Sequence, residues 1–398
     1  MISTLIKNAK ILVNGKLVEK HILLENHKIR EVIDEPVTVD KIIDVNHKLV
    51  IPGMIDCHVH FREPGMTHKE DFFTGSCAAA KGGVTTIMDM PNTKPPTTTV
   101  DLLKEKRELG KKSIVNYGLH FGATPDNSNE IRNAKGIVST KVFMNQTTGD
   151  MMFERDENLQ AAFKASRNIS VHAEGETVGK ALDIFKSFCG KKQQLYLCHI
   201  STKKELTMIR KFKKSNIHVE VTPHHLFLTV DDDKDAFTKM KPLLKTKEDQ
   251  DALWNAIDKG LVATIGSDHA PHTIEEKKSE KFPYGVPGVE TTLPLLLNAV
   301  NEKRLTLQKV IELTSVNPAK IYGLNKGAIA EGYDADLVVV DMELKKEVRN
   351  EEMLTKCKWS PFNGKLLKGW PVMTIVGGEV VYTGGKINDI KAKEITIK

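Results

Sequence analysis

Disulfide chemistry is scarce in this chain: 398 residues carry five cysteines, and no two of them form a CxxC pair. A disulfide scaffold is excluded, and a reducing, cytoplasmic setting is the simpler expectation. Long apolar runs are missing as well. The most apolar stretch, TTLPLLLNAV at 291–300, is far too short to cross a bilayer, and lysines interrupt the apolar residues of MISTLIKNAKILVNGK, which does not read as a signal peptide. No GxGxxG, P-loop, coiled-coil repeat or low-complexity tract occurs. Aromatics are only 6% of residues, and none interleave with arginines as a base-stacking surface would. The expectation is therefore no nucleic-acid and no membrane partner. What is present is ordinary for a folded protein, with 40% hydrophobic and 28% charged residues. The net charge of +6 suits a small anionic substrate without selecting one.

At about 150 residues per domain, the length predicts two or three domains. Residues 1–50 are short strand-like segments (TLIKNAKILV, KLVEKHILLE, KIREVID, TVDKIIDVN) separated by glycine or polar turns, and 331–385 has the same texture. Neither end buries much core alone, so the two are expected to combine into one β-sandwich domain, built from 1–50 and 331–398. Between them, 51–330 alternates apolar runs with amphipathic stretches. The runs lie at 49–60, 84–90, 113–122, 136–144, 169–173, 194–200, 218–224 and 261–269, with helices expected at 98–110, 157–166, 176–189, 202–214 and 248–259. Eight strand candidates alternating with helices predict an α/β fold, a (β/α)8 TIM-like barrel, with a doubly wound sheet as the structural alternative.

The polar residues fall at the ends of these runs. His58 and His60 are two apart on the first strand and share a face, so both imidazoles can enter one cavity. Lys141, His172, His199 and Asp268 end other strands, on the face where barrel active sites assemble. Taken singly, each histidine reads equally well as a core or loop residue, and Asp268 as a cap. Taken together, they point to a metal site. Lys141 is the odd member, because an ammonium beside metal cations is repelled. Either it points elsewhere, or it holds a substrate carboxylate, or its amine has reacted with carbon dioxide to give an anionic carbamate ligand. His224 and His225 compete with His199 as ligands or support the site by hydrogen bonds. Glu174 and Glu176 read as substrate or supporting groups, or as solvated loop acids.

The runs IPGMIDCHVHFREPG (51–65), MDMPNT (88–93), KVFM (141–144), VHAE (171–174), CHIST (198–202), TPHHL (222–226) and GSDHAPH (266–272) resemble the dihydroorotases of the cyclic amidohydrolase family. Further matches at 285–297, 323–341 and 360–381 carry the resemblance through nearly the whole chain. It implies two divalent metal ions, zinc above all, with cobalt or manganese satisfying the same donors. His58, His60 and Asp268 would hold one metal and His172 and His199 the other, bridged by Lys141 as N6-carboxylysine. Asp150 and Asp156 are alternative bridges, since some relatives use an aspartate. His224 and His225 would then be structural. The implied reaction is the reversible cyclisation of N-carbamoyl-L-aspartate to dihydroorotate plus water in pyrimidine synthesis, with a metal-activated hydroxide and Asp268 as general acid/base. Arg62, Asn92 and His272 would grip the substrate carboxylate; a guanidinium suits that task because it bonds a planar carboxylate bidentately. Association with other enzymes of the pathway is compatible with the resemblance. The competing readings are another cyclic amidase, such as an allantoinase or dihydropyrimidinase, and a catalytically silent scaffold. Residues 273–290 are expected to form a mobile loop over the site, with their lysine–glutamate block reading equally as a solvated loop or a short helix.

Overall fold

The computed structural model describes residues 3–145, 151–153, 155–212 and 215–397. Five strands open the chain: β1 (Thr4–Val13), β2 (Lys16–Glu25), β3 (Lys28–Ile33), β4 (Lys41–Asp44) and β5 (Leu49–Pro52). The β1–β2 turn is Asn14-Gly15, both at positive φ (49° and 77°), the pair a tight hairpin of this twist requires. Nine parallel-paired segments follow: β6 (Met54–Val59), β7 (Val84–Asp89), β8 (Asn116–Leu119), β9 (Phe121–Gly122), β10 (Thr140–Phe143), β11 (Asn168–His172), β12 (Gln194–Leu197), β13 (Ile217–Val221) and β14 (Thr264–Ile265). The last four are β15 (Leu337–Glu347), β16 (Leu366–Val376), β17 (Glu379–Thr383) and β18 (Lys386–Ile387).

The two chain ends meet in one sheet, in the order β18-β17-β16-β15-β5-β1-β2-β3, with β4 on β1. The join is β5, which pairs parallel with β1 and antiparallel with β15 from Leu337↔Pro52 to Val340↔Leu49. Ile6, Ile22, Leu24, Val50, Leu337, Val339 and Ile375 form the core under it, a cluster to which both ends contribute.

The middle strands form two parallel sheets, β6-β7-β8 and β9-β10-β11-β12-β13-β14. Their members are buried on both faces, which is why they read as apolar runs rather than alternating ones. Helices Val100–Gly110, Asp156–Ala165, Glu176–Phe188, Lys203–Arg210 and Lys247–Asp258 occupy the expected intervals. Thr99, Thr202 and Thr246 cap three of them with their hydroxyls. The parallel α/β fold is as expected, but several strands are shorter than their apolar runs, two of them for a visible reason. The run 113–122 breaks at His120 into β8 and β9. The run 261–269 ends at Ile265, because the Ser267 N–H donates to the Asp56 side chain at 3.0 Å and Asp268 takes a left-handed φ of 46°. The C-terminal tail returns to the middle of the chain: Ile395 N–H donates to the Tyr117 carbonyl at 2.8 Å, and its side chain joins Ile55, Met88 and Val138.

Candidate metal centre and active site

The end of β6 delivers His58 and His60 side by side, ring centroids 5.3 Å apart. Asp268 reaches both: its Oδ1 lies 3.3 Å from His58 Nε2 and 3.1 Å from His60 Nε2. The three offer donor atoms close enough together to hold one metal ion. Burial pushes His60 down to about 3 despite Asp268, so it stands as the neutral imidazole a metal needs. At His58, burial and Lys141 act downward, but Glu220 and Asp268 outweigh them and push it up to about 10. Burial alone would raise Asp268, yet His58 and His60 hold its carboxyl well below the usual range.

The second group lies alongside. The His199 ring is 5.4 Å from His58 and 4.5 Å from His172. His199 Nδ1 is buried without a hydrogen-bond partner, a lone pair with nothing of the protein to receive it. Such an orphan is costly unless something binds there. His172 Nε2 lies 3.2 Å from Glu174 Oε1. Lys141 is fully buried in β10 and its Nζ donates to Cys198 Sγ at 3.0 Å; among the described ion pairs it has no carboxylate. The His58–His60–Asp268 donor cluster, the adjacent His172 and the orphaned His199 imidazole, with an amine unpaired by any described carboxylate, fit a divalent-metal centre.

The opposite wall is cationic. Arg62 is 3% exposed and sits at φ 65°, a strained backbone for a non-glycine residue that turns its side chain into the cavity. Its Nε donates to the Pro271 carbonyl at 3.1 Å and Nη2 meets His272 Nε2 at 3.2 Å. Asn92 Oδ1 accepts from His60 Nδ1 at 2.7 Å, tying it to the imidazole as well as to the cavity. Burial, with Arg62 and Lys69 adding to it, holds His272 neutral. The turn carrying Arg62 is fixed from below by Asp89, whose Oδ1 accepts the Phe61 N–H at 2.7 Å while Oδ2 pairs with the fully buried Lys106 at 2.6 Å. One tight cavity brings together His58, His60, Arg62, Asn92, Lys141, His172, His199 and Asp268. His272 stands behind Arg62.

The other candidates sort themselves by contact. His225 bridges Thr222 Oγ1 (2.7 Å) and the Pro242 carbonyl (3.1 Å), a structural tie. His224 is buried beside it, its Nε2 without a partner. Glu176 is exposed and paired with Lys204, and Asp156 is exposed and paired with Lys180, both away from the centre. Asp150 lies outside the described residues. Sequence reasoning missed Glu220. This fully buried carboxylate accepts from His58 Nδ1 at 2.8 Å, from the His199 N–H at 3.0 Å and from Tyr196 Oη at 2.8 Å. It orients the His58 ring so that Nε2 faces Asp268. Gly266 is needed beside it, since a Cβ there would lie 2.3 Å from Glu220 Oε2. The available signal was a lone acid in HVEV, inside an otherwise apolar strand. Glu220→Gln is expected to keep the fold and weaken metal affinity about 10- to 100-fold. Competition titration with a chelating dye measures this, and unchanged affinity would remove Glu220 from the centre.

Parallel strands that gather imidazoles and a carboxylate beside a buried guanidinium define a metal-dependent hydrolase. Comparison gives the family: residues 49–381 match the Amidohydrolase family, and the chain belongs to it. The family implies a binuclear divalent metal centre. The chain is 37% identical to the dihydroorotase of Methanosphaera stadtmanae over 99% of its length and 100% of that relative's. It is likewise 37% identical to the dihydroorotase of Pyrococcus furiosus, over 94% of this chain and 91% of that one. Among solved structures it is similar to L-hydantoinase from Arthrobacter aurescens, with TM-score 0.90, 29% identity and full coverage of both chains. Dihydropyrimidinase from Brevibacillus agri gives TM-score 0.91 over 100% of this chain and 99% of that one, at 24% identity a likeness of fold alone. No helix among the described residues is long and apolar enough to cross a membrane.

Proposed function

We propose that this chain catalyses the dihydroorotase reaction, the reversible closure of N-carbamoyl-L-aspartate to dihydroorotate with release of water. The observation that carries the reading is the pairing, in one cavity, of the His58–His60–Asp268 cluster with the buried Arg62. Two divalent metals, zinc above all, supply a polarised carbonyl and an acidified water when bound. His58, His60 and Asp268 would hold one, His172 and His199 the other, with Lys141 as N6-carboxylysine between them. Asp268 moves the proton. In hydrolysis it takes a proton as the ring carbonyl is attacked, then returns it to the departing ring nitrogen; in cyclisation it acts first as the acid. Arg62 has Nε committed to Pro271 and Nη2 against His272, which leaves its remaining Nη protons for the substrate's spectator carboxylate. Asn92 and His272 complete that grip.

The scaffold reading supports this. We take the two parallel sheets as one (β/α)8 barrel spanning 51–330. Backbone bonds from Val138 N–H to the Leu119 carbonyl (2.9 Å) and from His60 N–H to the His269 carbonyl (2.8 Å) lie at the two seams. Residues 1–50 and 331–398 form the β-sandwich domain, and the setting is the cytoplasm.

Purified protein loaded with zinc should be assayed on N-carbamoyl-L-aspartate beside hydantoin, dihydrouracil and allantoin. Turnover of carbamoyl-aspartate at least about a hundredfold above the uncharged rings is expected, because a buried Arg62 left without a carboxylate penalises them. Preference for hydantoin or dihydrouracil would overturn the reading in favour of the activity named for the structural neighbours.

A further inference from the structure

We propose that Lys277 is a positioning residue that pins the outer wall of the cavity closed over the substrate, an inference that rests on the dihydroorotase reading for its kinetic part. Lys277 lies in the last turn of the short helix Ile274–Lys278, whose start is capped reciprocally by Thr273 and Glu276. Its side chain is 1% exposed. Nζ donates to three backbone carbonyls, those of Lys239 (3.1 Å), Pro283 (3.0 Å) and Gly285 (3.1 Å), which uses every proton of the ammonium. The rings of Trp359 (5.6 Å) and Phe282 (5.9 Å) stand beside it, and no carboxylate pairs with it among the described residues.

Those three carbonyls belong to two separate segments, and both face the site. Lys239 precedes Lys241, while Pro283 and Gly285 flank Tyr284; Lys241, Tyr284 and Gly285 all line the cavity. The segments touch through a second bond on the same acceptor, Gly285 N–H to the Lys239 carbonyl at 3.0 Å. From there the wall connects to the substrate grip, since the Tyr284 carbonyl meets His272 Nε2 at 3.0 Å and Trp359 Nε1 donates to the His272 carbonyl at 2.7 Å. Gly285 lies flush against the floor, at φ 136°, where a Cβ would stand 2.6 Å from the Ala270 carbonyl. One ammonium therefore ties 239–241 to 283–285 and, through them, to His272.

Stability does not explain why a cation sits there. Burial pushes Lys277 down to about 8, so at neutral pH the folded chain is less stable for holding it charged. An apolar side chain of similar length would avoid that penalty but could not hold the three carbonyls, which would turn to water and let the wall lift.

The test compares wild type with Lys277→Met, and with Lys277→Gln as a neutral variant that keeps two donors. In the methionine variant, amide hydrogen exchange over 282–286 is expected to quicken by about tenfold or more, with the melting temperature not lowered. Metal content should match wild type. KM for N-carbamoyl-L-aspartate and dihydroorotate is expected to rise about tenfold or more with kcat within about threefold, and glutamine to fall between. Should the methionine variant fail to fold, the glutamine variant supplies the same readouts. Unchanged exchange over 282–286 overturns the proposal, as does faster exchange spread over the whole chain with a lowered melting temperature. Because exchange is read on the protein alone, a wild type inert on both substrates would remove the reaction reading while the pin is still judged.

Discussion

Asp268→Asn is expected to lower kcat by about a thousandfold or more in both directions, a loss of about 4 kcal/mol of transition-state stabilisation. The substitution removes the proton-carrying capacity and the carboxylate charge while keeping the side chain's shape. Asparagine has the same shape, its carbonyl can still face His60 Nε2, and it tolerates the left-handed backbone that Asp268 adopts at φ 46°. Substrate binding should persist, because Arg62, Asn92 and His272 are untouched. Parallel assays of cyclisation and hydrolysis, with a calorimetric titration of N-carbamoyl-L-aspartate, separate the two effects. Rates within tenfold of wild type would take the proton-transfer role from Asp268; loss of binding together with rate would make it a metal ligand alone.

How much of this was legible beforehand differs from residue to residue for physical reasons. His58 and His60 were readable because strand geometry has a period of two, so spacing alone puts both rings on one face. The helices from Val100 to Asp258 were readable from the amphipathic intervals between apolar runs. Asp268 was found, but its strand was read too long. The break at Ile265 is imposed by a hydrogen bond from Ser267 to Asp56, 211 residues away in sequence, and no local pattern carries that. Glu220 was invisible for the same reason. Its partner His58 is 162 positions distant, and a single acid in a strand ordinarily faces solvent. Lys277 lay in a lysine–glutamate block that reads as a solvated loop, yet its acceptors are backbone carbonyls, which sequence does not distinguish. Periodicity reports faces and spacing; it does not report which buried polar groups find one another across the fold.

Lys141→Ala is the sharper test of the centre, because it separates two chemical identities of one side chain. An ammonium at this position faces His58, His172 and His199 and opposes positive charge on each of them. It would also repel any divalent ion bound between them, and its hydrogen bond to Cys198 Sγ does nothing to cancel that charge. The carbamate of the same amine inverts the sign and adds two oxygens to the donor set. If the carbamate is the working form, alanine should leave the fold intact, since it removes a buried amine that pairs with no carboxylate among the described residues. It should reduce bound metal from two ions per chain to one or fewer and lower kcat by about a thousandfold. Metal analysis after gel filtration gives the count, and 13C NMR of protein equilibrated with labelled bicarbonate should show a carbamate carbon in wild type that the variant lacks. A short carboxylic acid such as propionate, small enough for the space the lysine vacates, should restore part of the activity. Two metals per chain with an undiminished rate would place the bridge on another residue and leave Lys141 as a buried cation.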